Sequence, residues 1–285
     1  VVVLREVPGD EGFVRGVRRG TWAGLAVLGA GTFVAPKAVR AVVAALTATI
    51  GIAHGATDAA TLDRSGVRPR GGPATLSVAY GLLAIGVYAL ARRHPAAASR
   101  ALRTVSWAHF GSGDAAFARV CGSRRFELVE AFVRGGVPLG IGGRDARSAA
   151  CTIVACAYAA FAATSGDEFD ALDVAVPALA LYAAPPRLGF GCYFAAWHAP
   201  RHLALLLLRD PRGGDYSVRL LRFAREAAPN VAIASAFGAL GYFLRGRDTA
   251  AEDVVPALIL AITVPHQIAV WTIEYLARRE ETARS

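Results

Sequence analysis

Six histidines are spread over 285 residues, and five of them stand inside apolar stretches. His198 and His202 lie in LGFGCYFAAWHAPRHLALLLL, His54 opens HGATD, His109 stands in SWAHFGSGD, and His266 in ITVPHQIAV. Ionisable side chains at membrane depth are costly and mark functional sites. Several imidazoles placed there predict a buried metal centre.

The firmest element is the pair His198 and His202. Residues at i and i+4 share one helix face, about 5–6 Å apart at Cβ, so both imidazoles can reach one ion. Pro200 between them predicts a kink, and Arg201 needs a carboxylate or a watered path. His54 and Asp58 repeat the spacing. A ligand histidine commonly gives its second N–H to a carboxylate, a role open to Asp58 on His54 or on a neighbouring ligand, with Gly55 leaving room for close packing. His109 precedes Gly111 and Gly113, poor helix residues, so a helix break is expected there, with Asp114 as a second supporting acid. His266, after Pro265, reads as a supporting or packing residue, and His94 in ARRHP as a surface residue.

Each motif alone also fits a plain helix end. Together, four histidines (His54, His109, His198 and His202) without a sulfur ligand suit zinc, copper, iron or nickel. Neutral imidazoles leave the full charge on the ion, which favours dioxygen or a polarised neutral group. The HExxH pattern of metalloproteases is missing, and the histidines are too few for a membrane di-iron desaturase.

These residues must be positioned by helices in lipid. The chain is 54% hydrophobic, with a mean hydropathy of +0.40. Stretches 20–36, 71–91, 148–166, 227–244 and 254–273 lack charged side chains, and a membrane-crossing helix needs about 20 mostly apolar residues. The expected fold is all-α: a polytopic membrane bundle of about eight to ten helices. Spans are predicted near 21–35, 38–56, 74–91, 103–120, 126–142, 148–165, 171–186, 189–208, 228–244 and 254–276. Those at 103–120, 126–142 and 171–186 are short or carry Asp114, Glu127, Glu130, Arg134 and Asp173, so re-entrant or half-helices are expected among them. Connections are expected at 63–73, 92–103 and 209–226, with VRLLRFARE as an amphipathic surface helix. A basic lead-in (1–20), one catalytic domain (21–276) and a charged tail (277–285) complete the plan. The charged lead-in, with Arg5, Arg15, Arg18 and Arg19, reads as cytoplasmic and not as a signal peptide.

The formal net charge of +9 is almost all arginine; Lys37 is the one lysine. Arginines flanking the spans suit anionic headgroups, and no basic stripe with interleaved aromatics points to nucleic acid. Cys121, Cys151, Cys156 and Cys192 show no CxxC spacing and read as small buried apolar residues.

HGATD at 54–58, HFGSGD at 109–114, RGGVPLG at 134–140, YFAAWHAPRH at 193–202 and TVPH at 263–266 occur in the order seen in the Brp/Blh-type bacterial β-carotene 15,15′-dioxygenases. The chain resembles that family over roughly residues 45–275. Ala53, Thr57 and Ala199 depart from its usual proline, aliphatic residue and serine without removing a proposed ligand. The resemblance implies a multi-pass cell-membrane enzyme that cleaves β-carotene with O2 to two molecules of all-trans-retinal, and a functional link to a retinal-binding rhodopsin. It implies Fe(2+) held by His54, His109, His198 and His202; Asp58, Asp114 and His266, from the residues themselves, are expected in support.

A long hydrocarbon without a polar handle is selected by pocket shape; Phe110, Phe194 and Trp197, beside the ligands, are the expected tunnel walls. Two other readings share these residues: a non-catalytic carotenoid- or retinal-binding membrane protein, and an intramembrane-histidine metal or proton transporter. Metal content separates the first. Transport sites usually carry acids in the pathway, whereas most carboxylates here sit near segment ends.

Overall fold

The computed structural model describes residues 10–67, 70, 72–123, 127–140, 146–244 and 251–282. Positions 1–9 of the lead-in, 68, 69 and 71 of the first loop, 126, 141 and 142 at the edges of one span, and 283–285 of the tail lie outside the described residues.

In chain order the elements are α1 (Asp10–Val34), α2 (Pro36–Leu46), a π-helical turn at Thr47–Gly51, α3 (Ile52–Ala56), α4 (Asp58–Arg64), α5 (Gly72–Arg93), α6 (Pro95–Val120) and α7 (Glu127–Gly140). There follow α8 (Ala146–Thr164), α9 (Glu168–Ala183), α10 (Pro186–Tyr193), a second π turn at Phe194–His198, α11 (Ala199–Leu208), α12 (Tyr216–Leu244) and α13 (Ala251–Thr282). The fold is all-α, with no strand among the described residues. Its punctuation is local. Proline opens α2, α6 and α10, where its missing N–H costs nothing. Asp167 caps α9 by accepting from the Asp170 N–H at 2.9 Å. Gly122, at φ 96°, ends α6 and lets the Ser123 N–H reach the Ala118 carbonyl at 3.0 Å.

Two compact units form. One comprises 1–4, 52–106 and 211–285, the other 5–51 and 107–210. In the first, α3 packs on α12, while α4 and α5 both pack on α13. A small core of Ala91, Ala98 and Leu260 fills it, flanked by Val87, Leu102 and Val264. In the second, α9 packs on α1, α7, α8 and α10, and α11 packs on α1. Its main core runs through Leu25, Phe110, Val133, Val137, Val174, Leu181, Tyr193 and Trp197.

The distribution of polarity is that of a protein in lipid. Glu130, Asp170 and Arg201 are at most 1% exposed, while Leu82 and Ile85 are each 65% exposed. Water would select the reverse; lipid favours polar groups paired in the interior. Two stretches, Pro36–Arg64 and Ala74–Arg93, are long and apolar enough to cross a bilayer, and Ser148–Thr164 and Ile259–Ile273 are shorter apolar helices.

Several local expectations are corrected. The connection at 92–103 shrinks to the exposed His94 between α5 and α6, because Pro95 can start the next helix at once. VRLLRFARE is no separate surface helix but the first turns of α12, which continues through Pro229. The spans 38–56 and 189–208 each contain a π turn. Arg18 is buried and not a lead-in charge, because it faces Asp173. Cys192 alone of the four free cysteines is buried; Cys121 and Cys151 are half-buried and Cys156 is exposed.

The expected break after His109 is also absent: α6 runs unbroken from Pro95 to Val120. Gly111 and Gly135 serve contact instead. A Cβ on Gly111 would land on the Ala131 carbonyl oxygen, and one on Gly135 on the Trp107 carbonyl oxygen. The absent side chains let α6 and α7 touch backbone to backbone, which offsets the poor helix propensity of glycine. The obstacle at Gly111 is backbone and cannot rotate away. Gly111→Ala is therefore expected to cost at least the 1–3 kcal/mol typical of overpacking, roughly, read as a lowered unfolding midpoint in detergent.

Candidate metal centre

Three of the four proposed ligands come together in the second unit. His109 is carried by α6, His198 ends the second π turn, and His202 follows on α11. All three are buried, at 4%, 1% and 7% exposure. His198 Nε2 stands 3.1 Å from His109 Nε2. Two nitrogens that share one ion at imidazole–metal bonds of about 2.0–2.1 Å sit at such a separation. The His202 ring centroid lies 6.0 Å from that of His198 and 6.2 Å from that of His109.

The irregularity expected at Pro200 falls one turn earlier. The Ala199 N–H reaches back five residues to the Phe194 carbonyl, which is the π step, and Pro200 then lies in the first turn of α11. A π turn displaces side chains from the regular helical register and is frequent at functional sites. The first π turn packs on the second. Gly51 makes this possible, since a Cβ there would stand 2.6 Å from Phe194 Cε1. Gly113 does the same on α6, where a Cβ would lie 3.1 Å from His198 Cε1.

Asp114 lies beside His198. Its Oδ1 faces His198 Nδ1 at 3.4 Å, and its Oδ2 accepts from the Tyr193 hydroxyl at 2.8 Å and the Trp197 indole N–H at 2.9 Å. With Nδ1 directed at a carboxylate, His198 presents the lone pair of Nε2 toward His109. Phe110 stands edge-to-face to His198, with centroids 4.7 Å apart, and Phe194 stacks on it at 6.2 Å. Trp197 differs from these two. Its N–H is engaged by Asp114, and the Arg201 guanidinium lies 3.5 Å from its ring centroid.

Glu130, Arg134 and Asp173, among the charges that weakened the predicted spans, find polar partners elsewhere in the chain. Asp173 receives Arg201 at 2.8 Å, Arg18 at 2.8 Å and the Trp22 indole N–H at 2.8 Å, tying α1, α9 and α11. Arg134 pairs with Asp170. The Tyr158 hydroxyl lies 2.7 Å from Asp170 and 3.2 Å from Glu130, and Glu130 also accepts from Ser123. Arg201 thus finds its required carboxylate. Trp22, Tyr158 and Asp170 escaped the sequence reading, and Arg18 was read as a lead-in charge, because pairing between distant residues is not visible in spacing.

The remaining candidates gather in the first unit. His54 is on α3, Asp58 opens α4, and His266 is on α13. Asp58 Oδ2 is 2.7 Å from His266 Nδ1, so Asp58 supports His266. The His54 and His266 rings meet at a centroid distance of 5.0 Å and an angle of 76°. Gly55 again marks a close approach: a Cβ there would be 3.3 Å from His266 Nδ1.

The chain matches the family described as beta-carotene 15,15'-dioxygenase over residues 45–142 and 145–273. It is 27% identical to the "Probable beta-carotene 15,15'-dioxygenase Blh" of Halobacterium salinarum, across 83% of this chain and 84% of that protein. No solved structure matches it.

Proposed function

The chain belongs to the beta-carotene 15,15'-dioxygenase family, and we propose that it cleaves β-carotene at the central double bond with O2 to give two molecules of all-trans-retinal. The observation that carries this reading is the convergence of His109 and His198 through their Nε2 atoms, 3.1 Å apart, with Asp114 behind His198. Donors of this type fit a borderline divalent ion, and Fe(2+) is the proposed cofactor. His109, His198 and His202 would hold it, with His54 proposed as the fourth ligand from its place in HGATD. Bound iron supplies the redox chemistry that lets O2 react with the alkene.

The protein's own work is positioning. Asp114 keeps the Nε2 lone pair of His198 available. Phe110 and Phe194 make the ground around His198 apolar, and with Trp197 they are the proposed walls against which the polyene lies. Selection of the central bond then rests on fit. The exposed leucines and isoleucines support a multi-pass protein of the cell membrane, where a bilayer-soluble substrate enters from lipid. Retinal released there is available to a retinal-binding rhodopsin.

Expression in β-carotene-accumulating cells is the test. Loss of orange colour with the appearance of retinal is the expected result, and His202→Ala is expected to keep the cells orange. Colour retained by cells expressing the intact protein, with iron absent from the purified protein even after Fe(II) loading, would favour a carotenoid-binding role instead.

A further inference from the structure

The supporting carboxylate of HGATD serves a histidine 208 residues away, and the first unit surrounds that pair with further polar contacts. The Tyr80 hydroxyl on α5 donates to the Ile262 carbonyl oxygen on α13 at 3.2 Å, one turn before His266. Asn230 on α12 donates to the Ala56 carbonyl oxygen at 2.7 Å, holding the end of α3 just before the break at Thr57. Asp58 and His266 are 3% and 4% exposed, and His54 is 4% exposed. α12 and α13 therefore meet a five-residue helix whose one ionisable side chain is His54.

The chemistry of the contact has a direction. A carboxylate only accepts, so the Nδ1 of His266 carries the proton and its Nε2 carries the lone pair. The ring is then fixed in tautomer and in rotation, and it stands nearly perpendicular to the ring of His54. Glycine at position 55 leaves room for that ring, since a Cβ would stand 3.3 Å from its Nδ1.

We propose that His266 is the positioning residue of His54: Asp58 holds the His266 ring, Tyr80 steadies α13 one turn before it, and the held ring sets the rotation of the His54 imidazole by edge-on packing. The proposal rests on reading His54 as a metal ligand.

Co(II), loaded into chelator-stripped protein in detergent, is the probe, because its visible bands report ligand geometry independently of turnover. His266→Phe keeps an aromatic ring but removes its bond to Asp58. It is expected to lower Co(II) affinity about 10- to 100-fold, the range for lost outer-shell partners, and to shift the visible bands. His266→Gln, which keeps an N–H donor for Asp58 but no ring, is expected to recover only part of both. Tyr80→Phe and Asp58→Asn, which remove less volume, are expected to shift the bands in the same direction and so test the relay even where His266→Phe does not fold. Wild-type affinity and bands in folded His266→Phe, or in both milder variants, would overturn the relay. Wild-type protein that binds no Co(II) overturns the functional reading itself, whereas Co(II) binding left intact by His54→Ala overturns the relay alone.

Discussion

Replacing His198 by alanine is expected to abolish retinal formation and to remove most bound iron, while leaving the helices in place. His198 contributes more than one donor. Its Nε2 meets that of His109 at 3.1 Å, and its Nδ1 faces Asp114. Phe110 and Phe194 pack against its ring. Loss of the ring therefore removes a ligand and unseats two apolar neighbours together. Asp114→Asn makes the informative comparison. It keeps the ligand but replaces a carboxylate that His198, Tyr193 and Trp197 all address, and the expected loss is about 10–100-fold in metal affinity or activity. Iron content by elemental analysis, alongside retinal yield, distinguishes the two. An Asp114→Asn variant as empty of iron as His198→Ala would show that Asp114 acts through folding and not through the imidazole.

The second large effect is on stability. Asp173→Ala is expected to destabilise the protein by about 3–5 kcal/mol, the cost of stranding a buried charge. Asp173 is 2% exposed, and it holds Arg18, Arg201 and the Trp22 N–H at once. Its removal leaves two buried guanidiniums without their shared carboxylate. Asp173→Ala with Arg201→Met is expected to recover only part of the loss, because Arg18 still lacks its partner. Unfolding midpoints in detergent for the single and double variants measure both effects; full recovery in the double variant would place Arg18 outside the network.

What could be read in the chain was what lies close together in it. The pair His198 and His202, the acid Asp114 five residues after His109, and the all-helical fold follow from spacing and apolar run length. Long-range pairing could not be read that way. Asp58 looked like the partner of His54, four residues away, yet it faces His266 across the chain. Charges at 130, 134 and 173 looked like faults in membrane spans, and they are members of paired clusters whose other halves lie on different helices. The glycines after His109 show the same limit. Propensity reads Gly111 and Gly113 as a break, but tight packing of neighbouring elements on α6 outweighs about 1 kcal/mol of propensity per glycine.

The unbroken course of α6 has a consequence for how this protein can change. His109 and Asp114 ride on one rigid rod, so a donor to the proposed ion and the acid that steadies its neighbour cannot drift independently. Phe194 belongs to the wide turn that ends at His198, and its ring stacks on that imidazole and meets Phe110 on the rod. A change at Phe194 therefore reaches the proposed ion as well as the proposed wall. Substrate range and metal assembly are coupled traits within one small chain.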